Sequence, residues 1–301
     1  MKKIDRDMIV LVSMCLLFSM FLFFDSSKVE TVKTEYLGMV VKKDKEVTIY
    51  RKDSTINLPI NEYLVGVVGC EVDATYEMEA LKTQAIVART YALRKINKGD
   101  RLTDDTSTQC FKDNNELKKK WGNKYNEYYE RVKKAIIDTN DLAIYYDNKL
   151  IDAVYHSISN GSTESAKAVW GSDIAYLVSV DSSWDKEDSN YKKVITKDMD
   201  DFLKTLGVKT PNYSILSRDE SNRVKEIMVG DKVFSGTDFR RKLDLRSTDF
   251  NIDINNDKVT ITTYGYGHGV GLSQDGANYM AKKGYKYDEI IKHYYKGVNI
   301  K

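Results

Sequence analysis

The stretch NEYLVGVVGCEVDATYEMEALKTQAIVARTYALRK, residues 61–95, constrains the fold more than any other part of the chain. Its first half predicts a short helix over 61–68, in which Leu64, Val65, Val67 and Val68 are too dense for one exposed face. Such a helix has to be buried. In the second half Leu81, Ala85, Ala88, Ala92 and Ile96 recur on one helical face, which predicts an amphipathic helix over 78–96. Glu77 and Glu79 at its start and Arg94 and Lys95 near its end suit the helix dipole. Between the two helices stands one carboxylate, Glu71, just after Val67, Val68 and Cys70. Packing of that segment would desolvate the carboxylate and raise its pKa toward the range of a general acid. A glutamate that caps the next helix or pairs with Arg89 fits the spacing equally well.

The rest of the chain alternates short strand and helix patterns. Residues 35–51 read as a hairpin that 55–58 could extend, with Pro59 ending the run. A helical pattern covers 116–137. LAIYYDNKLIDAVYHS is a hairpin turning at Asp147-Asn148, 199–206 is helical, and 224–234 is a hairpin turning at Gly230-Asp231. KVTITTY, 258–264, is a strand by its β-branched content, and a last helix over 288–296 ends at Gly297. These patterns predict an α+β fold: one compact domain of mixed, mainly antiparallel strands and helices. Outside the N-terminal apolar run only Cys70 and Cys110 occur, which is no disulfide framework, so the fold is expected to rest on its core. A formal net charge of +2 gives no electrostatic reason to expect nucleic acid.

Residues 8–24, MIVLVSMCLLFSMFLFF, are apolar apart from serines and follow Lys2, Lys3 and Arg6. No small-residue cleavage site follows, which favours an uncleaved transmembrane anchor over a cleaved signal. Cys15, preceded by the bulky Met14, reads as an apolar residue of that span. The basic flank keeps residues 1–7 cytoplasmic and sends the remainder outside: a tether and first strand over 25–46 and the main domain over 47–301. The expected location is the cell membrane, single-pass, with the domain extracytoplasmic.

Three further features bear on chemistry. Asp73 could be a second carboxylate, though a turn or N-cap role suits it better. His156 ends a strand and leads into Ser157, Ser159, Asn160 and Gly161, a loop rich in donors and acceptors. Neighbours on a strand face opposite ways, so His156 and Ser157 should not form a catalytic pair. His268 sits among glycines at 265, 267, 269 and 271, which reads as a close-packed strand presenting the imidazole into a cleft. With three histidines and no CxxC or HExxH, no metal site has local spacing behind it.

Taken together, LPINEYLVGVVGCEV, EALKTQAIVARTYAL, IDAVYHSISNGSTES with VWG, SGTDFRRKLDLRSTDF and GYGHGVGLSQDGANYMAKKGYKYDEIIKHYYKG resemble the stage II sporulation protein D (SpoIID)/LytB family. The resemblance implies a membrane-anchored lytic transglycosylase of peptidoglycan, cleaving MurNAc-GlcNAc bonds with a 1,6-anhydro product during cell-wall remodelling in spore engulfment. It places Glu71 at the catalytic position. It places Gln84, Arg89, His156, Ser157, Ser159, His268, Ser273 and Gln274 in the substrate pocket. It implies peptidoglycan strands as substrate, and a partner amidase and membrane scaffold protein as companions. No cofactor is expected. The zinc ligands of some clostridial relatives are not carried over, since RLTDDTSTQCF has Cys110 alone. Asp73 stands where the family has proline, Asn160-Gly161 shifts its glycine pair, and Asp275 replaces an aromatic residue. A muramidase-type hydrolase using Glu71 with Asp73 or Asp275, and a non-catalytic wall-binding or amidase-stimulating protein, are the alternatives.

Overall fold

Residues 45–301 are described by a computed structural model; the tail at 1–7, the apolar anchor at 8–24, the tether and the first arm of the 35–51 hairpin lie outside the described residues. Among the described residues no helix is long and apolar enough to cross a membrane. In chain order the elements begin with β1 (Glu46–Tyr50), β2 (Thr55–Pro59), α1 (Ile60–Glu71), α2 (Met78–Asn97) and β3 (Leu102–Thr103). β1 pairs antiparallel with β2 and parallel with β3. The dense apolar run gives the buried helix expected, four residues longer than 61–68, with Tyr63, Leu64, Val67 and Val68 wholly inaccessible.

The helical pattern at 116–137 is two helices, α3 (Asn114–Trp121) and α4 (Tyr125–Asp138), not one. Gly122, with φ of 54°, ends α3, and a single 3₁₀ turn links it to α4. Asp113 and Glu116 form a capping box at the start of α3. These helices close a first core with α1 and α2. Cys70 and Cys110 are joined by a disulfide, contrary to the expectation from sequence. Two cysteines give no sign of their proximity until the loop after β3 folds back over the end of α1.

β4 (Ile144–Tyr146) and β5 (Lys149–Leu150) form the expected hairpin, with Asp147 and Asn148 both left-handed as its tight turn requires. After them come β6 (Tyr155–His156), α5 (Ala166–Trp170), β7 (Lys192–Asp198), α6 (Met199–Leu206), β8 (Tyr213–Arg218), β9 (Val224–Val229), β10 (Lys232–Ser235), α7 (Gly236–Leu243), β11 (Phe250–Asn255) and β12 (Lys258–Tyr264). The chain closes with β13 (Leu272–Ser273), α8 (Gln274–Lys282), α9 (Tyr287–Tyr294) and β14 (Asn299–Ile300). Two antiparallel three-stranded sheets, β10-β9-β8 and β11-β12-β7, share a core with α6 and α7 that centres on Phe202, Phe239 and Phe250. The fold is thus α+β with mainly antiparallel sheets, and β6 with β13 is one of its few parallel pairs.

The glycine-rich run at 265–271 is not a strand. Its four glycines have φ of 76°, 122°, 84° and 74°, and its backbone pairs with the 156–164 segment through single bridges, Ile158 to Tyr266 and Glu164 to Val270. A Cβ on Gly267 would lie 2.6 Å from the His156 Cβ, and one on Gly271 would lie 2.1 Å from the Val154 carbonyl oxygen. Glycine is what lets this backbone press against the strand that carries His156.

Candidate active site

A cleft of about 790 Å³ opens between the α1 end, the 265–271 run and the β7–α7 region, and Glu71, Tyr155, His156, His268, Arg240 and Arg246 are among its walls. Glu71 is the last residue of α1, which stops because Val72 is extended. A carboxylate at a helix C-terminus meets the negative end of the dipole. Its pKa is raised chiefly by burial, against hydrogen bonds from the Cys110 backbone, Tyr155 and Gln274 and the charge of Lys120. Cys110 N–H donates to Oε1 at 2.7 Å and the Tyr155 hydroxyl at 2.9 Å. Glu71 neither caps α2 nor meets Arg89.

Two neutral imidazoles share the cleft. His156 lies at its wall with Nδ1 3.2 Å from the Val270 carbonyl, which makes Nδ1 the donor and leaves an Nε2 lone pair without a partner. Burial, His268 and Arg223 hold its pKa well below the ordinary value. His268 accepts the Val270 N–H at Nδ1, 3.0 Å away, and burial with Arg240 lowers its pKa to about 4. The two rings are 5.8 Å apart, and Trp170 packs on the far side of His268 at 5.3 Å.

The remaining expected residues take four different placements. Gln274 hydrogen-bonds Glu71 and places its Nε2 3.5 Å from Gln84 Oε1, so this amide pair stands behind the acid. Ser159 and Ser273 serve a buried carboxylate, Asp185: the Ser159 N–H donates at 2.8 Å and the Ser273 hydroxyl at 2.7 Å. Ser157 is turned from the cleft, and its carbonyl accepts the Asp275 N–H. Arg89 is apart from the cleft, donating to the carbonyls of Ile136, Thr139 and Leu142 at the end of α4. Neither rival carboxylate lines the cleft. Asp73 closes its own turn through Thr75, and Asp275 takes the Tyr76 hydroxyl.

Several lining residues carry no separate signal in sequence. Tyr155 adjoins His156, and Arg240, Asp244 and Arg246 lie inside SGTDFRRKLDLRSTDF, but only the fold turns them toward Glu71. Among the described residues no group of three or more His, Cys, Asp or Glu side chains could hold a metal ion.

Residues 50–146 match the family profile described as Stage II sporulation protein. The chain is 40% identical to stage II sporulation protein D of Bacillus subtilis over 84% of this chain and 78% of the relative. The chain belongs to the SpoIID family. The stage II sporulation protein D of Bacillus amyloliquefaciens is as similar, at 40% identity with the same coverage. A more distant relative, a Bacillus subtilis protein named amidase enhancer, is 27% identical over 79% of this chain and 40% of its own length.

Proposed function

We propose that this SpoIID-family protein is a peptidoglycan lytic transglycosylase whose single acid–base group is Glu71. The observation that carries this reading is the setting of Glu71: a mostly buried carboxylate on a cleft wall, with its pKa raised by burial and its geometry fixed by Cys110 and Tyr155. Protonated Glu71 gives its proton to the glycosidic oxygen between N-acetylmuramic acid and N-acetylglucosamine, and that C–O bond breaks. The resulting carboxylate takes the proton of the muramic 6-hydroxyl as that oxygen bonds to the anomeric carbon. The ring closes to the 1,6-anhydro product, and Glu71 is again protonated. Neutral His156 orients the sugar through its unpartnered Nε2 lone pair rather than through charge, and His268, whose nitrogens meet the Val270 N–H and the Tyr155 backbone, forms the wall beside it.

One carboxylate suffices for this chemistry, whereas a hydrolase of the two-carboxylate kind needs a second across the sugar. Asp73 and Asp275 do not line the cleft; Asp244 does, but it is exposed. The apolar run at 8–24 anchors the protein in the cell membrane with this domain outside, a setting in which the Cys70–Cys110 disulfide persists. Its companions in this reading are an amidase and a membrane scaffold of the engulfment machinery. The name of the amidase enhancer relative supports a second role, stimulation of such an amidase without glycan cleavage. Mass spectrometry of glycan digested by the full-length protein and by Glu71→Gln separates these readings. Anhydro ends from the wild type alone are expected. Reducing ends alone would indicate hydrolysis, and cleavage surviving Glu71→Gln would remove Glu71 from the mechanism.

A further inference from the structure

Beyond His268 and Arg240 the cleft wall is shared with a second, smaller cavity of about 180 Å³, so the two spaces adjoin across these side chains. The walls of the smaller cavity are unusually cationic for its size. Arg223, Lys225 and Arg240 line it, against Asp219 as its one carboxylate. Asp219 is already engaged, its Oδ1 accepting from Ser221 and from the Arg223 N–H. Arg223 is 3% exposed. Its Nη1 pairs with Glu164 at 2.7 Å, but its Nε has no partner. A buried guanidinium N–H left without an acceptor is costly, and an anionic ligand would satisfy it. Arg240 gives only Nε to a carbonyl, that of Leu245, which leaves its two terminal nitrogens for a ligand.

The backbone adds to this field. Ser235 caps α7 by accepting the Asp238 N–H, and Gly236 and Thr237, whose N–H groups begin the helix, line the cavity. Such first-turn N–H groups have no intrahelical acceptor and attract anions. Burial depresses the Arg240 pKa, Arg223 depresses it further, and Tyr266 and Asp244 only partly offset this, so the two guanidinium groups repel each other when the cavity is empty of anion.

We propose that this cavity is a carboxylate subsite, taking a carboxylate of the glycan bound at Glu71 between Arg223, Arg240, Lys225 and the first turn of α7. The proposal rests on the glycan reading above and deepens it. Muramic acid carries a lactyl carboxylate, and the peptide that can be attached there carries others. Both present the same planar, doubly accepting group that a guanidinium pair recognises. His268 then does two things: it faces the sugar in the main cleft and separates it from the carboxylate.

The test is calorimetric titration of full-length Glu71→Gln protein, which binds without turnover, with three muramic-acid oligosaccharides of equal length. One has free lactyl carboxylates, one their methyl esters, and one attached peptides. The free acid is expected to bind about tenfold tighter than the ester. Adding Arg240→Gln should remove that preference, so that free acid and ester bind alike. Lys225→Ala, at an exposed position, should reduce the preference about threefold without loss of fold. Tighter binding of the peptide-bearing probe alone assigns the carboxylate to the peptide and keeps the subsite. If neither carboxylate-bearing probe binds tighter than the ester, the subsite is refuted even where wild-type protein produces anhydro ends. Discrimination of acid from ester by a protein that leaves no anhydro ends would overturn the cleavage reading instead.

Discussion

The backbone N–H of Cys110 donates to Glu71 Oε1 at 2.7 Å, and Cys110 is itself joined by a disulfide to Cys70, the residue before Glu71. The acid is therefore held by a loop that one covalent link fastens to its own helix. Tyr63 stacks on Phe111 in the same loop, so the clamp also has an apolar anchor.

Replacing both cysteines by serine is expected to lower stability by up to about 4 kcal/mol, the chain-entropy value for a link across a sequence separation of 40. The Cys110 N–H favours the charged form of Glu71, so freeing the loop moves the Glu71 pKa further up. Thermal melts with and without reductant, together with a pH–rate profile, test both effects. Wild-type protein that melts at the same temperature when reduced would show that the link is not stabilising.

Burial raises the Glu71 pKa in the folded state, so the folded protein holds this proton more tightly than the unfolded chain. Its contribution to stability is full below the unfolded carboxylate pKa and is lost as pH rises through the folded one. Glu71→Gln should accordingly melt about 2–4 °C higher than wild type at pH 7, with the gap closing toward pH 4. A gap that widened on acidification would reverse the assigned direction. Activity has the same sign: the proton-donating form is present below the raised pKa and disappears above it.

The helices around Glu71 were legible because apolar density and a single buried face speak directly for burial. The cleft's other side was not. β7 has an exposed, lysine-rich face, so its sequence lacks the strong alternation of a half-buried strand. The glycines at 265–271 signalled close approach correctly, but left-handed backbone at every second residue excludes the strand that their spacing suggests. Serines and an arginine marked by the family resemblance turn out to satisfy Asp185 and the end of α4, because a motif does not distinguish a residue that meets ligand from one that supports the wall. Arg240 and Lys193 reach the cleft only through contacts far apart in the chain.

Arg89 yields a prediction that separates those roles. Arg89 is 2% exposed, and its guanidinium donates to three carbonyls at and beyond the end of α4. Arg89→Met should cost about 2–4 kcal/mol through the loss of buried, charge-assisted hydrogen bonds to these carbonyls. Protein that survives the substitution should bind glycan with wild-type affinity. Urea unfolding and oligosaccharide titration measure the two; unchanged stability with weakened binding would return Arg89 to the pocket.

Glu71 is also the terminal acceptor of an oriented relay. The Tyr63 hydroxyl donates to Gln109 Oε1 at 3.0 Å, Gln109 Nε2 donates to the Tyr155 hydroxyl at 3.2 Å, and Tyr155 donates to Glu71 Oε1 at 2.9 Å. Every donor points toward the carboxylate, so the relay stabilises the charge that Glu71 acquires when it gives up its proton. Tyr155→Phe removes the last donor and strands the Gln109 N–H in a residue that is 1% exposed. We expect a stability loss of about 1–3 kcal/mol, a basic limb shifted to higher pH and a fall in kcat of roughly 10- to 100-fold. Gln109→Leu leaves the Tyr155–Glu71 bond in place and cuts the relay one step earlier. It should shift the basic limb less than Tyr155→Phe does, even where it destabilises as much. A pH–rate profile of both variants decides the point: a limb that neither variant moves would mean that the charge on Glu71 is set by burial alone and that the relay only packs the core.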